Sequence, residues 1–414
     1  MPGIAVIDAD AHVTEAADLW TSRIASKWGD LRPHIKIVPQ GKTFEEAQSL
    51  AYGPDLPPMQ AWFTGDTMLA PAGASAYADW KEPFPLFPPT IEEAHPASYD
   101  ATARLALMNE QGIFAQGLFP NVGGFGSARF RTMPEQELAL ACVSAYNDFL
   151  YDWTSPARER FILNAAIPYW NLDAATAEIE RVAPLGFKSV IFSGAPQDHG
   201  LPYLADPHWD RLWSAAVAAG MSISFHLGSG NFHGRHFSVE RVKNEAKTDV
   251  LARLITMGFL DSAQHVTDLL HSGVLYRYPN LKFVAAESGI GWIPFVLESA
   301  DYHYKEASGG KVGDEGLPSE RFRRQVYASF WFERVAPERL LDIIGTHNVI
   351  FETDFPHPSC LWPTTTVRLA VDALDVVPEE YRRRVLQDNA IDLYGVDRTA
   401  LEAWEAVHLS TPQV

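Results

Sequence analysis

Cysteine is nearly missing from this chain: Cys142 and Cys360 are the only two among 414 residues. Two thiols cannot build the disulfide framework of a secreted scaffold, so both are read as packing residues of a protein kept in a reducing cytoplasm. Basic residues are scarce too, with 33 Lys and Arg against 52 Asp and Glu and a formal net charge of −19 at pH 7. That deficit excludes an electrostatic grip on nucleic acid or on an anionic membrane surface. No apolar run approaches the roughly 20 residues that span a bilayer. The first residues also lack a basic start followed by an apolar stretch, so a soluble, unprocessed protein is expected. Internal repeats, low-complexity tracts and long charge runs are absent. What is abundant is apolar and aromatic: 47% hydrophobic residues and 12 tryptophans exclude a disordered chain and can fill a large core.

Short apolar runs alternate with helical patterns, the arrangement of parallel βαβ units. Strands are expected at 4–10, 113–119, 161–168, 188–194, 222–228, 282–288, 326–332 and 349–355. Helical segments fall at 134–153, 173–183, 207–220, 246–273, 292–304 and 337–345, and 379–397 reads as a closing helix. In the first of these, Leu138, Cys142, Tyr146 and Phe149 share one face at three- and four-residue spacing. Eight strands with intervening helices fit a (β/α)8 TIM barrel, an α/β fold whose active site lies at the C-terminal strand ends; a doubly wound open sheet is the rival. Residues 21–97 break the alternation, being rich in proline, glycine and tryptophan without a sustained period. An insertion after the first strand forms either a lid over the barrel mouth or an oligomerisation arm. The remainder is one barrel domain.

Four side chains sit where separate strands run out: Asp10 and His12 in VIDADAHVTE, His226 in SISFHLGSG, and Asp354 in VIFETDFPHPS. Asp10 and His12 are two residues apart, so an extended strand projects both from one face. Asp8 has the same parity but lies deeper in the strand, as an interior or supporting group. Taken singly, His226 reads as a core histidine and Asp354 as a helix cap. Their joint order, D-x-H, then H, then D at the ends of the first, fifth and eighth strands, points to one divalent metal site.

At these residues the chain resembles the amidohydrolase superfamily, in the branch related to aminocarboxymuconate semialdehyde decarboxylase. The resemblance runs over most of the barrel, through DADAHV, MNEQGI (108–113), YNDFLYDW (146–153), FHLG, GVLYRYPNLKFVAAESGIGWIPF (273–295), TDFPH (353–357) and DNAIDLYG (388–395). It implies a metal-dependent enzyme with Asp10, His12, His226 and Asp354 as ligands, Asp10 standing where the family commonly has histidine. Two carboxylates and two imidazoles suit Mn²⁺ as well as Zn²⁺. The resemblance also implies a homodimer or larger homo-oligomer. Where decarboxylases of the branch often carry a histidine after the sixth strand, this chain has Glu287, which serves as acid or base if its apolar surroundings raise its pKa, or else as a buried hydrogen-bonded support. Lys188 opens the fourth strand and Ser193 and Gly194 end it, so the carboxylated lysine of two-metal relatives has no counterpart.

Substrate contacts are expected from Arg235, whose guanidinium matches a carboxylate, and from His233, His357 and Asn121; Arg235 has a solvated-loop alternative and His357 a supporting one. Two chemistries use these parts. A lyase, foremost a decarboxylase, would act on a small aromatic or unsaturated carboxylic acid, with Asp354 or Glu287 supplying the proton. A hydrolase would cleave a lactone, amide or ester with metal-activated water and Asp354 as base. The resemblance favours the first. A barrel with a purely structural metal is the non-catalytic alternative.

Overall fold

The computed structural model describes residues 3–38, 58–82, 86–231 and 244–409. Eight parallel strands form the central sheet: β1 (Val6–His12), β5 (Ile113–Phe119), β6 (Phe161–Ala166), β7 (Ser189–Phe192), β8 (Ser222–His226), β9 (Phe283–Ala286), β10 (Val326–Phe330) and β11 (Val349–Phe351), paired in that order. Nearly every residue in them is buried, as expected where helices cover the outer face of a parallel sheet. The sheet closes on itself. Asp354 N–H donates to the Asp10 carbonyl at 3.0 Å, His12 N–H donates to the Phe355 carbonyl at 2.6 Å, and Ala11 bridges Phe355 in parallel register. The result is a nearly closed (β/α)8 barrel rather than an open sheet, and all eight expected strands are present.

Helix ends follow local chemistry. In Ala101–Gln111 the Asp100 carboxylate accepts from Ala103 N–H, and Gly112 at φ +77° ends the helix. In Gln136–Trp153 the expected face, Leu138, Cys142, Tyr146 and Phe149, is buried. Two expected helices break up. Residues 337–345 lie across Val335–Arg339 and Leu341–Ile344, joined at Leu340. Residues 379–397 form Glu379–Arg383, a wider turn Arg384–Asp388 and Asn389–Tyr394. That wider turn lets Gln387 reach inward to the Ala5 carbonyl at 3.2 Å, closing the bottom of the barrel.

Residues 21–97 carry a regular element that their composition hides. β2 (His34–Val38), β3 (Met59–Thr64) and β4 (Thr67–Pro71) make a three-stranded antiparallel sheet. Trp62 anchors it, with its ring edge-on to buried Trp20 at 4.9 Å. Farther along, the N–H groups of Tyr77 and Ala78 donate to the Pro356 carbonyl at 2.7 and 3.2 Å. Among the described residues no helix is long and apolar enough to cross a membrane.

Candidate metal centre

Closure of the barrel brings the ends of β1, β8 and β11 together. His12 Nε2 lies 3.5 Å from Asp10 Oδ1 and 3.5 Å from Asp354 Oδ1, and His226 Nε2 lies 3.2 Å from Asp10 Oδ2. Asp10, His12 and His226 present ligand atoms within 4.8 Å of one another, and so do His12, Asp354 and His357. All four predicted ligands are at most 1% exposed. Yet both Asp10 oxygens, His12 Nε2 and His226 Nε2 have no hydrogen-bond partner. Buried lone pairs left without donors are costly. Here they converge, and two carboxylates with two imidazoles are the donor set of a divalent cation, so these residues fit the metal that the resemblance implies.

The electrostatics agree. Burial pushes Asp10 well above the usual carboxylate range, and the nearby Asp354 and Asp8 charges push it further. Burial also lowers His226 to about 4 and holds His12 well below normal, leaving both imidazoles neutral, as ligation requires. For Asp354, burial acts upward, but the imidazoles of His357 and His12 outweigh it and hold the carboxyl below its ordinary value. His226 Nδ1–H donates to its neighbour's carbonyl, Leu227 O, at 2.8 Å, which aims the bare Nε2 inward.

Backbone strain marks the same place. Asp354 at φ +57° and Glu287 at φ +51° are two of the four described non-glycine residues in the left-handed region. Glu287 Oε2 lies 3.7 Å from His226 Nδ1, and its N–H donates to Glu352 Oε2 at 3.2 Å. Burial raises the Glu287 carboxyl well above normal, with Asp354, Asp10 and Glu352 adding to the effect.

A scan of family models matches the amidohydrolase model to residues 7–396. The chain belongs to the amidohydrolase family. A γ-resorcylate decarboxylase of Rhodococcus jostii (strain RHA1) is 26% identical over 312 residues, covering 71% of this chain and 87% of that protein. Among solved structures, an amidohydrolase of Mycobacterium avium subsp. paratuberculosis K-10 superposes with a TM-score of 0.67 at 22% identity, over 95% of this chain and 99% of that one. The 5-carboxyvanillate decarboxylase of Novosphingobium aromaticivorans, holding manganese and 4-hydroxy-3-methoxy-5-nitrobenzoic acid, superposes with a TM-score of 0.56 at 19% identity, over 72% and 81% of the two chains.

In this amidohydrolase the outlying candidates separate. His357 stacks on His12 at 3.6 Å between ring centroids, its Nδ1 lies 2.9 Å from Asp354 Oδ1, and its Nε2 faces Asn121 Oδ1 at 2.9 Å. Asn121 in turn donates to the Val13 carbonyl at 2.9 Å. His233 and Arg235 lie outside the described residues. Asp8 leaves the cluster: its carboxylate accepts from Thr353 Oγ1 at 2.5 Å, Gln116 Nε2 at 2.8 Å, Thr353 N at 2.9 Å and Asp10 N at 3.2 Å. The cause is an extra residue in β1. Asp8 pairs with Gln116 and Ala11 with Leu118, so three steps along β1 match two along β5, and strict parity ends at Asp8. Lys188 stands just before β7, at the far end from the centre.

The amidohydrolase site also holds residues that sequence reasoning missed. Fully buried Arg104 donates to the His12 carbonyl at 2.7 Å and to Gln116 Oε1 at 3.1 Å, tying the end of β1 to the Asp8 network. Nothing in its helix distinguishes it from a solvated arginine. Glu352, fully buried, shares the parity of Asp354 within VIFETDF, a signal that was available.

Proposed function

We propose that this amidohydrolase is a metal-dependent decarboxylase of a small aromatic carboxylic acid. The observation that carries the reading is the convergence of buried, unpartnered lone pairs from Asp10, His12 and His226 beside the Asp354 carboxylate at the barrel mouth. The named activity of the curated relatives, decarboxylation of an aromatic acid, supports the choice of reaction. Asp10, His12, His226 and Asp354 are the ligands, and the oxygen-rich set together with the manganese of the structural relatives favours Mn²⁺ over Zn²⁺.

When bound, the cation supplies positive charge that attracts the substrate carboxylate or a neighbouring hydroxyl. His12 and His226 remain neutral, His226 with its tautomer fixed by the Leu227 carbonyl, and so act as ligands rather than as proton carriers. Asp354 is held ionised chiefly by His357. Glu287, whose burial favours the protonated form, delivers its proton to the ring carbon as the bond from that carbon to the carboxylate breaks and carbon dioxide leaves. His357 and Asn121 line the approach to Asp354. The hydrogen bonds from Tyr77 and Ala78 to Pro356, two residues past Asp354, support the lid reading of the 21–97 insertion over the oligomerisation arm.

The test is to incubate the manganese-loaded protein with hydroxybenzoates and with aromatic lactones in ¹⁸O-labelled water. Carbon dioxide release with no label in the aromatic product is the expected result. Labelled hydroxy acids from the lactones, with no carbon dioxide from any benzoate, would transfer the protein to the hydrolases.

A further inference from the structure

One aromatic side chain at the barrel mouth has no part in the steps above. Phe125 stands at the tip of the turn that follows β5, a turn that packs across β6 and β7. Its ring lies face to face on the His226 imidazole, with centroids 3.7 Å apart and planes at 17°. It is also 5.5 Å from the His12 ring, and a Cβ placed on Gly228 would stand 3.6 Å from its edge. Among the described residues, three rings contact the ligand imidazoles from outside the ligand set: Phe119, His357 and Phe125. Phe119 is fully buried within β5, and His357 is held by Asn121. Phe125 is half-buried and stands on a glycine-flanked tip.

The turn is held firmly at both ends and loosely in the middle. Glu15 Oε1 accepts from the N–H groups of Asn121 and Val122, each at 2.8 Å, and Arg129 donates to the carbonyls of the same two residues at 2.8 and 2.9 Å. Gly123 is pressed against the Phe130 ring, leaving no room for a Cβ. Between these anchors Gly124 and Ser127 take positive φ, and within the tip Ser127 N–H donates to the Gly124 carbonyl at 3.0 Å. None of these anchoring hydrogen bonds is made by Phe125 itself.

We propose that Phe125 is the specificity-determining residue of the site: it selects a planar ring by letting that ring slide between itself and His226. This rests on the metal-site reading above. The Phe125–His226 stack keeps the slot filled in the free protein. An incoming aromatic acid replaces that one stacking contact with two, on His226 and on Phe125, while its carboxylate lies toward the centre. A saturated ring of equal size has no flat face to offer and loses both contacts, so discrimination arises from shape at constant charge.

The experiment measures binding to the manganese-loaded full chain by calorimetry, with 2-hydroxybenzoate and its saturated analogue 2-hydroxycyclohexanecarboxylate as probes. Wild type should prefer the planar probe. Phe125→Ala, with Phe125→Leu as a second apolar variant, should weaken the planar probe about 5-fold and leave the saturated one within about 2-fold, whereas Phe125→Trp retains the preference. Manganese affinity, measured separately, should stay within about 3-fold in every variant. Equal weakening of both probes, no change in either, or a loss of manganese affinity would overturn the proposal, the last because Phe125 would then act only by packing His226. Wild type that releases carbon dioxide but shows no Phe125 effect defeats this inference alone. Wild type that binds neither probe defeats the functional reading with it.

Discussion

At the N-terminal end of the barrel, Asn389 Nδ2 donates to the carbonyls of Thr346 and Val349 at 2.6 and 2.7 Å, and Gln387 Nε2 donates to Ala5 O and to Glu405 Oε1 at 3.2 and 2.8 Å. At the C-terminal end, equally buried Asp10, His12 and His226 crowd their lone pairs together beside Asp354 with no donor for them. One end caps buried carbonyls with neutral amides. The other leaves like charges crowded and places Asp354 and Glu287 in strained backbone. The difference separates stability from function: the bottom of a barrel holds it closed, whereas the top retains an unfavourable arrangement that the proposed cation would relieve.

The sharpest way to break that contrast is Asp10→Asn. Loss of a ligand carboxylate should lower kcat/KM roughly a thousandfold, about 4 kcal/mol. It should nevertheless raise the Tm of the metal-free protein, because the Asp10 charge opposes those of Asp354 and Asp8. A fall in both quantities would mean that Asp10 stabilises the fold directly.

A smaller effect should appear with pH. Burial raises Asp8 from 3.8 to about 6, so the folded state binds its proton more tightly than the unfolded chain. Stability from this group is therefore highest below about pH 4, declines as pH rises to about 6, and stays lower above, a change on the order of 3 kcal/mol. Urea unfolding of the metal-free protein across that range should show the decline, and Asp8→Asn should flatten it. A stability that rises over the same range would contradict the sign.

The smallest effect belongs to the other end. Asn389→Ala strips two buried carbonyls of their donor and should cost about 2 kcal/mol in urea unfolding, with kcat/KM within about 2-fold of wild type. A tenfold loss of turnover without a change in unfolding would erase the division of labour.

Much of the barrel was legible because each strand is short, apolar and followed by a helical pattern or a glycine break. The convergence of Asp10, His12, His226 and Asp354 was legible because a polar residue at the end of such a run stands out. Other features were not. Asp8 shares the parity of Asp10, and only the extra residue in β1 turns it toward Thr353 and Gln116. Arg104 looks like any helical arginine until barrel closure brings the His12 carbonyl within its reach. The β2–β4 sheet was hidden because its strands are half-exposed and interrupted by proline and glycine, so its order depends on Trp62 meeting Trp20, a contact that no local pattern announces.

Sequence alone determined that eight apolar runs of strand length would be joined by helices and that acidic and imidazole groups would end three of them, since periodicity and residue type are local properties. Tertiary structure decided which of those groups would meet without donors, which backbone would be strained, and which ring would cover the centre. Those outcomes depend on the first and last strands, about 340 residues apart in the chain, coming within hydrogen-bonding distance, and closure of that kind is a property of the whole sheet rather than of any segment in it.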